Sequence, residues 1–571
     1  MKFFFLYSFL NFLGFSIYLQ SCPTNEEKEL QEVIKDIDSL LSENPTESNI
    51  IPDISVKMGS SNGKYINESN THLLIFGGGY SPSGNQVSLE SNVKYFYKIR
   101  ERIGLKNAKA FTFFADGKDN ARDLQFFDPS YSVPKINAVL AELFGKPQSI
   151  RYQYRSNQLN PNGASSLSSI DNWFKQRKKA LYPETNLIYF TGHGGKGATK
   201  TPHDTTAYLW SNAKLKVSDF VKKLDQLPQR QSTILIMVQC YSGGFANILF
   251  KDGDPKKELS QHPRAGFFST IQTRVAAGCT PDIRSENYKE YSTSFWEALS
   301  GVSRTGQIIT QPDYDNDGET SLMEAHSYVI IKSNTIDIPI KTSDILLRKY
   351  FPDAFSAKKD NSKETNVFKK YLPKIFKKNE GNSSSENNFR LEELSRVTLL
   401  NWAGDEEKAV FLGLSKILKL NDEIPGIEIK SLQENLKKER QAIEKKKKSE
   451  VEQKNKFRDE LRKKIQKLYP EISNPHHPVT TSLISSSKKE QILELVNQNQ
   501  IWQKLTQQVK KIGEFENQRF MIEKKEVKIM RIRRCIENIV LTHALLENGS
   551  SQQKAYFKRL VDLECNVPQN Q

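Results

Sequence analysis

The chain has 571 residues, of which 37% are hydrophobic and 26% are charged, and its formal net charge is +16. This length predicts two or more folding units, and the composition favours a globular unit combined with strongly solvated, charged helices. The 5 cysteines are scattered and include no Cys-x-x-Cys pair, which excludes a disulfide scaffold and a cysteine-ligated zinc site.

The positive charge does not by itself predict a nucleic acid partner. In the segment EKKKKSE, residues 444–450, lysines are flanked by acids and no aromatic residue is interleaved. Such a segment is typical of a solvated helix face, and attraction to anionic lipid is the second interpretation. We therefore expect no nucleic acid partner.

The first residues have the pattern of an export signal. Lys2 precedes an apolar stretch, residues 3–18, which is short and is followed by polar, acidic sequence. We interpret residues 1–21 as a signal peptide. Leu-Gln-Ser-Cys, residues 19–22, resembles a bacterial lipobox, which implies lipidation at Cys22 and a membrane anchor in the bacterial cell envelope, on a periplasmic or surface face. An ordinary signal peptide cleaved nearby and an uncleaved anchor are the alternatives.

Short apolar runs separated by helical patterns begin after a predicted helix and linker, residues 22–70. Runs of this kind indicate strands that are covered on both faces, and the fold class is therefore α/β with a mostly parallel sheet over residues 71–345. The five predicted strands are residues 72–79, 109–117, 186–195, 232–240 and 273–279.

The composition changes again near residue 346. Residues 346–389 are rich in Lys, Asn and Ser and predict a linker. In residues 390–571 apolar side chains recur at helical spacing without sustained heptads, which predicts a charged, all-α region that is either a bundle or an interrupted coiled coil.

Two of the predicted strands end in chemically suggestive turns. One run finishes in Gly-His-Gly-Gly at residues 192–195, and the next finishes at Cys240, followed by Tyr-Ser-Gly-Gly. If the two strands are parallel neighbours, His193 and Cys240 face one cleft at the carboxyl edge of the sheet. A thiol with its ordinary pKa needs an imidazole to remove its proton, and the amides of Gly194 and Cys240 are candidate oxyanion donors.

These residues resemble the caspase-like cysteine peptidases, which include caspases, legumain-type and clostripain-type enzymes. The motifs TGHGG and QCYSGGF, in which Cys240 follows His193 by 47 positions, are most similar to legumain-like bacterial proteins. The resemblance covers roughly residues 70–335 and implies a three-layer sandwich and cysteine endopeptidase activity. Gln239 replaces the alanine that is common in caspases and legumains, and Tyr241 departs from the caspase Cys-x-Gly form.

The same resemblance implies a substrate pocket formed by the loops after the first and fifth strands, residues 77–86 and 278–287. Asp282 and Glu286 would then select a basic substrate side chain, and the alternative is that both are simply solvated. Cys279 is either a partner for Cys240 in a redox lock or an inert buried thiol.

A second motif has the spacing D-x-D-x-D-G-x5-E of an EF-hand loop. Three carboxylates on alternate residues, a turn glycine and a glutamate that opens a helix supply the oxygen ligands that Ca²⁺ prefers. The segment before the loop does not read as a helix, so we expect an EF-hand-like loop, residues 313–324, with structural calcium. An acidic turn that only caps a helix is the alternative. The predicted ligands are Asp313, Asp315, Asp317, the Glu319 carbonyl, Ser321 and Glu324.

The sequence therefore supports two hypotheses. The leading one is an exported, membrane-tethered, calcium-stabilised cysteine endopeptidase that acts on a peptide or protein substrate through His193 and Cys240. The other is a catalytically inactive, caspase-like surface scaffold or adhesion protein that binds partners through its helical tail.

Overall fold

The computed structural model describes residues 65–147, 149–180, 182–352, 354, 391–474 and 477–568. The predicted signal peptide, Cys22 and most of the predicted linker at 346–389 lie outside these residues. The chain divides into two compact units. The sheet unit contains the described residues of 65–125, 155–431 and 527–568, and the helical unit contains those of 126–154 and 432–526.

The strands and helices of both units are numbered in chain order. The strands are β1 (Tyr65–Ile66), β2 (Thr71–Gly78), β3 (Lys109–Phe114), β4 (Leu124–Phe126), β5 (Gln153–Arg155), β6 (Thr185–Gly192), β7 (Gly194–Gly195), β8 (Thr206–Leu209), β9 (Ala213–Lys216), β10 (Ser232–Val238), β11 (Arg264–Phe268), β12 (Ile340–Lys341) and β13 (Val567–Pro568). The α-helices are α1 (Val87–Ile99), α2 (Lys135–Phe144), α3 (Leu167–Arg177), α4 (Val217–Leu224), α5 (Tyr291–Ser300), α6 (Leu322–Lys332), α7 (Thr342–Tyr350), α8 (Arg396–Trp402), α9 (Asp405–Leu418), α10 (Pro425–Leu468), α11 (Pro478–Ser485), α12 (Lys488–Asn497), α13 (Gln500–Asn548) and α14 (Ser551–Glu564).

A six-stranded sheet forms the centre of the sheet unit, in the order β12-β11-β10-β6-β2-β3. All neighbouring pairs are parallel except β11 with β12 at the edge. The predicted α/β class with a mostly parallel sheet is confirmed. Because β3 lies on one side of β2 and β6 on the other, the chain reverses its direction of winding between β2 and β6. In open parallel sheets, ligands bind outside the carboxyl ends of the strands at such a reversal.

Helices cover both faces of this sheet. On one face, alternate strand residues such as Phe190 and Met237 share a buried cluster with Trp173 of α3 and Phe220 of α4. On the other face, the ring of Tyr189 contacts side chains of α1 and α5. Since both faces are apolar, each central strand is a nearly continuous hydrophobic run, and this is why the sequence pattern was readable.

Four of the five predicted strands are confirmed with small shifts of their ends, but the strand predicted at residues 273–279 is wrong. The strand beside β10 is β11, and residues 273–279 form a loop. Gly278 and Cys279 have φ values of 123° and 57°, which a strand does not accommodate. The Ala277 amide donates to the Asp337 carboxylate at 2.7 Å. The short apolar run is present, but its Ala276 and Ala277 amides donate to side chains and not to a neighbouring strand.

The end of the chain belongs to the sheet unit. Residues 541–565 contribute buried side chains to a cluster that also contains Leu249, Phe250 and Leu346. The β13 strand pairs with β1, and the buried carboxylate of Glu564 accepts hydrogen bonds from the Ser343 amide and hydroxyl at 2.7 and 2.6 Å. The predicted boundary near residue 390, between a sheet domain and a helical region, therefore does not match the packing, because residues 391–431 and 527–568 belong to the sheet unit.

The helical unit is built from α2, α11 and α12 with parts of the long helices α10 and α13. Its core contains Leu143, Leu461, Ile492 and Leu505. The helical spacing read from the sequence is confirmed in these segments. Among the helices of the described residues, none combines the length and the apolar character needed to cross a membrane.

Candidate active site

The two suggestive turns lie at the same level of the sheet. Strands β6 and β10 pair in one constant register, from Thr185 opposite Ser232 to Thr191 opposite Val238. The same offset relates His193 to Cys240, two positions beyond the last pair. Neighbouring strands are about 4.8 Å apart, so both residues emerge side by side at the carboxyl edge. Paired residues of β6 and β10 all differ by 47 positions, and His193 and Cys240 differ by the same number.

Gly194 makes this closeness measurable. A Cβ atom on Gly194 would lie 2.1 Å from the carbonyl oxygen of Cys240 and 2.6 Å from Cγ of Gln239. No side chain fits in that space, so the glycine is required by the approach of one turn to the other. The structure thus brings together the three predicted catalytic residues, His193, Gly194 and Cys240.

The loop that follows β2 holds the imidazole of His193. Its Nε2 atom lies 2.8 Å from the carbonyl oxygen of Gly84 and 2.9 Å from Oε1 of Gln86. Both partners are acceptors, which assigns the ring proton to Nε2 and leaves the lone pair on Nδ1. Tyr80 packs edge-on against the ring, with 5.2 Å between centroids. The available base is therefore Nδ1, in a fixed ring at the reversal point of the sheet.

Burial sets the charge state of the pair. It lowers the pKa of His193, which the Gly84 carbonyl partly opposes. It raises the pKa of Cys240, which the amides of Ala276 and of Cys240 itself partly oppose. Both shifts favour the uncharged forms, so the resting pair is a thiol and a neutral imidazole. Within the described residues the two side chains share no direct hydrogen bond.

Among the described residues, the Gly194 amide makes no ladder hydrogen bond to the neighbouring strand β8. Gly194 faces Ala207 in the antiparallel pair of β7 and β8, and the Tyr208 amide donates to the His193 carbonyl at 2.9 Å. In that register Gly194 occupies a position without ladder hydrogen bonds, so its N–H points away from β8.

Tyr241, directly after Cys240, has a left-handed conformation with φ of 61°, which turns the chain sharply behind the thiol.

Cys279 also lies at this edge. Its Sγ donates to the carbonyl of Gly192 at 3.8 Å, and burial, Glu290 and Cys240 raise its pKa well above the ordinary value. Cys240 and Cys279 are both free thiols in this structure. The redox lock stays a prediction.

The predicted selectivity residues are placed differently from each other. Asp282 accepts hydrogen bonds from the Arg284 side chain at 2.6 to 3.2 Å and from Asn287 at 2.8 Å. Burial opposes its charge, but Arg284 and Asn287 hold the pKa of Asp282 below its ordinary value. Its carboxylate thus organises its own loop. Glu286 is exposed in a short 3-10 helix.

The acidic loop gathers three of its six predicted ligands. Asp313, Asp315 and Asp317 offer oxygen atoms that all lie within 4.8 Å of one another. Glu324 lies outside this group because its carboxylate accepts from the amides of Tyr314 and Ser321, at 2.5 and 2.8 Å. Ser321 and Glu324 form a capping box for α6. Glu319 is exposed.

Carboxylate repulsion is visible in this loop. Burial and the neighbouring Asp317 and Asp313 raise the pKa of Asp315 to about 6. Burial, Asp315 and Glu406 of α9 raise the pKa of Glu324 to about 8. Oxygen ligands that repel one another suit a hard divalent cation.

The sequence did not predict the hydrogen-bond partners of the His193 and Cys240 side chains. Gln86 stands in the loop assigned to the substrate pocket, but nothing in its context connects it with His193. The Ala276 amide, which donates to Sγ of Cys240 at 3.4 Å, belongs to the segment that was read as a strand. For Gln86 and Ala276 the sequence offers only the composition of their loops, and composition does not indicate which side chain a residue contacts.

No protein-family model matches the chain, and no curated protein sequence matches it.

Proposed function

We propose that the protein is a cysteine endopeptidase in which Cys240 is the nucleophile and His193 is the general base and acid. The observation that carries the proposal is the common level of the two residues at the reversal point of a parallel sheet, with Gly194 packed on the Cys240 carbonyl. A thiol, a base and a free backbone amide on neighbouring strands form the minimum set for acyl transfer.

The proposed reaction follows from the hydrogen bonds. Nδ1 of His193 takes the proton of the thiol as Sγ of Cys240 attacks the substrate carbonyl carbon. The oxygen of that carbonyl becomes negative and is stabilised by the amides of Gly194 and Cys240. The imidazolium then donates its proton to the leaving amine, and water hydrolyses the thioester with His193 again acting as the base. The bonds from Nε2 to Gly84 and Gln86 keep the ring oriented throughout.

A caspase-like assignment is the finer form of the proposal. Its support is the pair of motifs around His193 and Cys240 together with a three-layer α/β arrangement. The charge states differ from those of a preformed thiolate–imidazolium pair, since burial favours the neutral forms of both groups.

The test is labelling of the full-length protein with an acyloxymethyl ketone peptide probe, combined with cleavage of a peptide library. We expect one labelled site, at Cys240, and no labelling or cleavage by Cys240→Ala. His193→Ala should lose cleavage while it stays folded. Cys535→Ala is the control, because Cys535 is a buried thiol on α13 that donates to the Glu407 carbonyl at 3.4 Å. Cleavage by Cys240→Ala would end the proposal, and a folded, inert wild type would favour the scaffold alternative.

We further propose that the acidic loop holds a structural Ca²⁺ through Asp313, Asp315 and Asp317. The donor set is composed of hard oxygens, and Gly318 has a φ of 87° that allows the loop to turn around a cation. The carboxylate of Glu324 accepts hydrogen bonds from the Tyr314 and Ser321 amides and is not part of the three-aspartate group.

An envelope location is also proposed, on the basis of the signal-like residues 1–21 and Cys22. Metabolic labelling with an alkynyl fatty acid in a bacterial host tests it. Wild type should incorporate the label and Cys22→Ser should not. Equal labelling of the two proteins would remove the lipid anchor from the proposal.

A further inference from the structure

A single segment runs across the candidate active site, and we call residues 274–280 the covering segment. Its Arg274 carbonyl accepts from the Tyr241 amide at 2.8 Å, and its Ala276 amide donates to Sγ of Cys240 at 3.4 Å. Its Thr280 carbonyl accepts from the Ser88 amide of α1 at 3.3 Å. The segment therefore contacts the nucleophile directly, and whatever fixes the segment also fixes the surroundings of the thiol.

Asp337 fixes the middle of the covering segment. Its side chain is fully buried, and its Oδ1 accepts from the Ala277 amide at 2.7 Å, one residue after the amide that meets the thiol. Its Oδ2 accepts from the Thr335 hydroxyl at 3.0 Å. The position of the Ala276 N–H thus depends on a carboxylate that lies far away in the sequence.

Arg531 of α13 holds the turn that carries Asp337. The side chain is buried, and its guanidinium donates to the carbonyl oxygens of Asp337 at 2.8 Å, Ser333 at 2.6 Å and Ile330 at 3.0 Å. Few side chains other than arginine can donate so many bonds in a fixed plane. These bonds connect the α13 helix with the carboxyl edge of the sheet at His193 and Cys240, which we call the catalytic edge because of its proposed function.

We propose that Asp337 is a positioning residue for the nucleophile Cys240, that it acts through Ala277 and Ala276, and that Arg531 of α13 holds it in place. This inference rests on the proposed function of Cys240. The carboxylate has two separable effects on the thiol. As a hydrogen-bond acceptor it aims the Ala276 N–H at Sγ, which favours the thiolate, whereas its negative charge opposes the thiolate.

The charged groups around Asp337 come from several elements. Burial raises the pKa of Asp337 to about 6, against the opposing effects of the hydrogen bonds from Ala277 and Thr335 and of the positive charges of Arg531 and Arg274. Its charge acts in turn on Glu290, Tyr291 and Cys240. Near neutral pH the carboxylate is mostly ionised.

The experiment compares Asp337→Asn with Asp337→Ala in the full-length protein. Asparagine keeps an oxygen acceptor for the Ala277 amide and removes the charge, whereas alanine removes both. Two quantities are measured: kcat and KM for a cleaved peptide, and the rate of alkylation of Cys240 by iodoacetamide as a function of pH, followed by mass spectrometry. The alkylation measurement needs no peptidase activity.

We expect Asp337→Ala to lower kcat by about 10-fold or more with little change in KM, because misplacement near a reacting atom costs a factor of this order. Asp337→Asn should retain most of kcat. Its alkylation should begin at lower pH than in wild type, since a negative charge near the thiol is gone, and alkylation of Asp337→Ala should begin at higher pH than that of Asp337→Asn. Arg533→Ala, an exposed change on the same helix, should behave as wild type.

Equal kcat and equal alkylation profiles for the two Asp337 variants would overturn the proposal. If Asp337→Ala does not fold, Thr335→Val replaces it, because this change removes the hydroxyl that donates to Asp337; an unchanged kcat and alkylation profile would then overturn the proposal. If no peptide is cleaved by wild type but the alkylation profiles differ as expected, the proposed peptidase function fails while the positioning of the thiol by Asp337 stands.

Discussion

Two proposed sites, the catalytic edge at His193 and Cys240 and the acidic loop, are both clusters of polar side chains, but they are assembled in opposite ways. At the catalytic edge, His193 and Cys240 follow two different strands and lie close together because those strands, β6 and β10, pair in register. In the acidic loop, Asp313, Asp315 and Asp317 are near neighbours in the sequence and meet because the chain turns at Gly318. One site depends on the whole sheet unit, and the other depends mainly on local backbone geometry.

The comparison shows where each kind of site is vulnerable. The catalytic edge tolerates no added atom at Gly194, since two backbones are in contact there. The acidic loop has open space at Gly318, where a Cβ atom would meet no neighbour within 4 Å, although the positive φ would be strained. Packing defines the first site and electrostatics defines the second. Four predictions test this contrast, in order of decreasing effect.

Deletion of residues 527–571 should unfold the sheet unit and with it the catalytic edge. The deletion removes the fully buried side chains of Leu541 and Leu545, the buried Phe557 and Leu560, and the anchor Arg531. Each buried apolar side chain contributes about 1.5–3 kcal/mol, so these four alone contribute about 6–12 kcal/mol, which is as large as a typical net stability of about 5–15 kcal/mol. Circular dichroism melting should lose its cooperative transition. Deletion of residues 569–571 alone is the control, and a folded, active truncation at 526 would contradict the assignment of α14 to this unit.

Gly194→Ala should lower kcat/KM by about 100-fold, because the new methyl group must displace the Cys240 carbonyl. It should also cost about 1–3 kcal/mol of unfolding free energy, as overpacking does. Peptide cleavage and thermal melting measure the two effects. Gly145→Ala is the matched control, since the nearest atom to its added Cβ is 3.5 Å away. Normal activity in Gly194→Ala would contradict the close packing of Gly194 against the Cys240 carbonyl.

Calcium should raise the melting temperature by several degrees, because saturation at about 100 Kd adds about 2.7 kcal/mol. Asp315→Asn should abolish the response, whereas Glu319→Gln, with the same charge change, should keep it.

The pKa values of Asp315 and Glu324 are raised to about 6 and about 8. A carboxyl group with a raised pKa loses its stabilising contribution as pH rises through that value, so the apo-protein weakens with pH and the calcium response grows. An equal response at about pH 5.5 and about pH 8.5 would contradict this account.

Gln86→Glu should move the acid limb of the kcat/KM profile to higher pH by about one unit. In wild type, burial lowers the pKa of His193 from 6.5, so the neutral base persists below that pH. A carboxylate in place of the Gln86 amide, 2.9 Å from Nε2, favours the imidazolium. Gln86→Leu removes the acceptor without adding charge and should not raise the limb. An unmoved limb in Gln86→Glu would mean that His193 is not the titrating base.

Much of the sheet could be read from the sequence. The runs at β2, β6 and β10 are apolar on both faces, and this burial pattern survives without knowledge of the neighbours. The α6 helix and the acidic loop were readable because capping and turn residues act within a few positions. The strand prediction for segment 273–279 was wrong because its apolar residues are equally compatible with a buried loop. Its Ala276 and Ala277 amides donate to the side chains of Cys240 and Asp337 and not to a neighbouring strand.

What the sequence determined by itself is therefore the local chemistry: the nature of the strands, the three aspartates on alternate residues, and a histidine and a cysteine that each follow an apolar run and precede glycine. The tertiary structure alone decided which amide faces the thiol, which oxygen atoms hold the imidazole, and that Arg531 belongs to the sheet unit. The reason is physical. Hydrogen bonds and burial between distant segments depend on the register and packing of the whole sheet, and no short stretch of sequence contains that information.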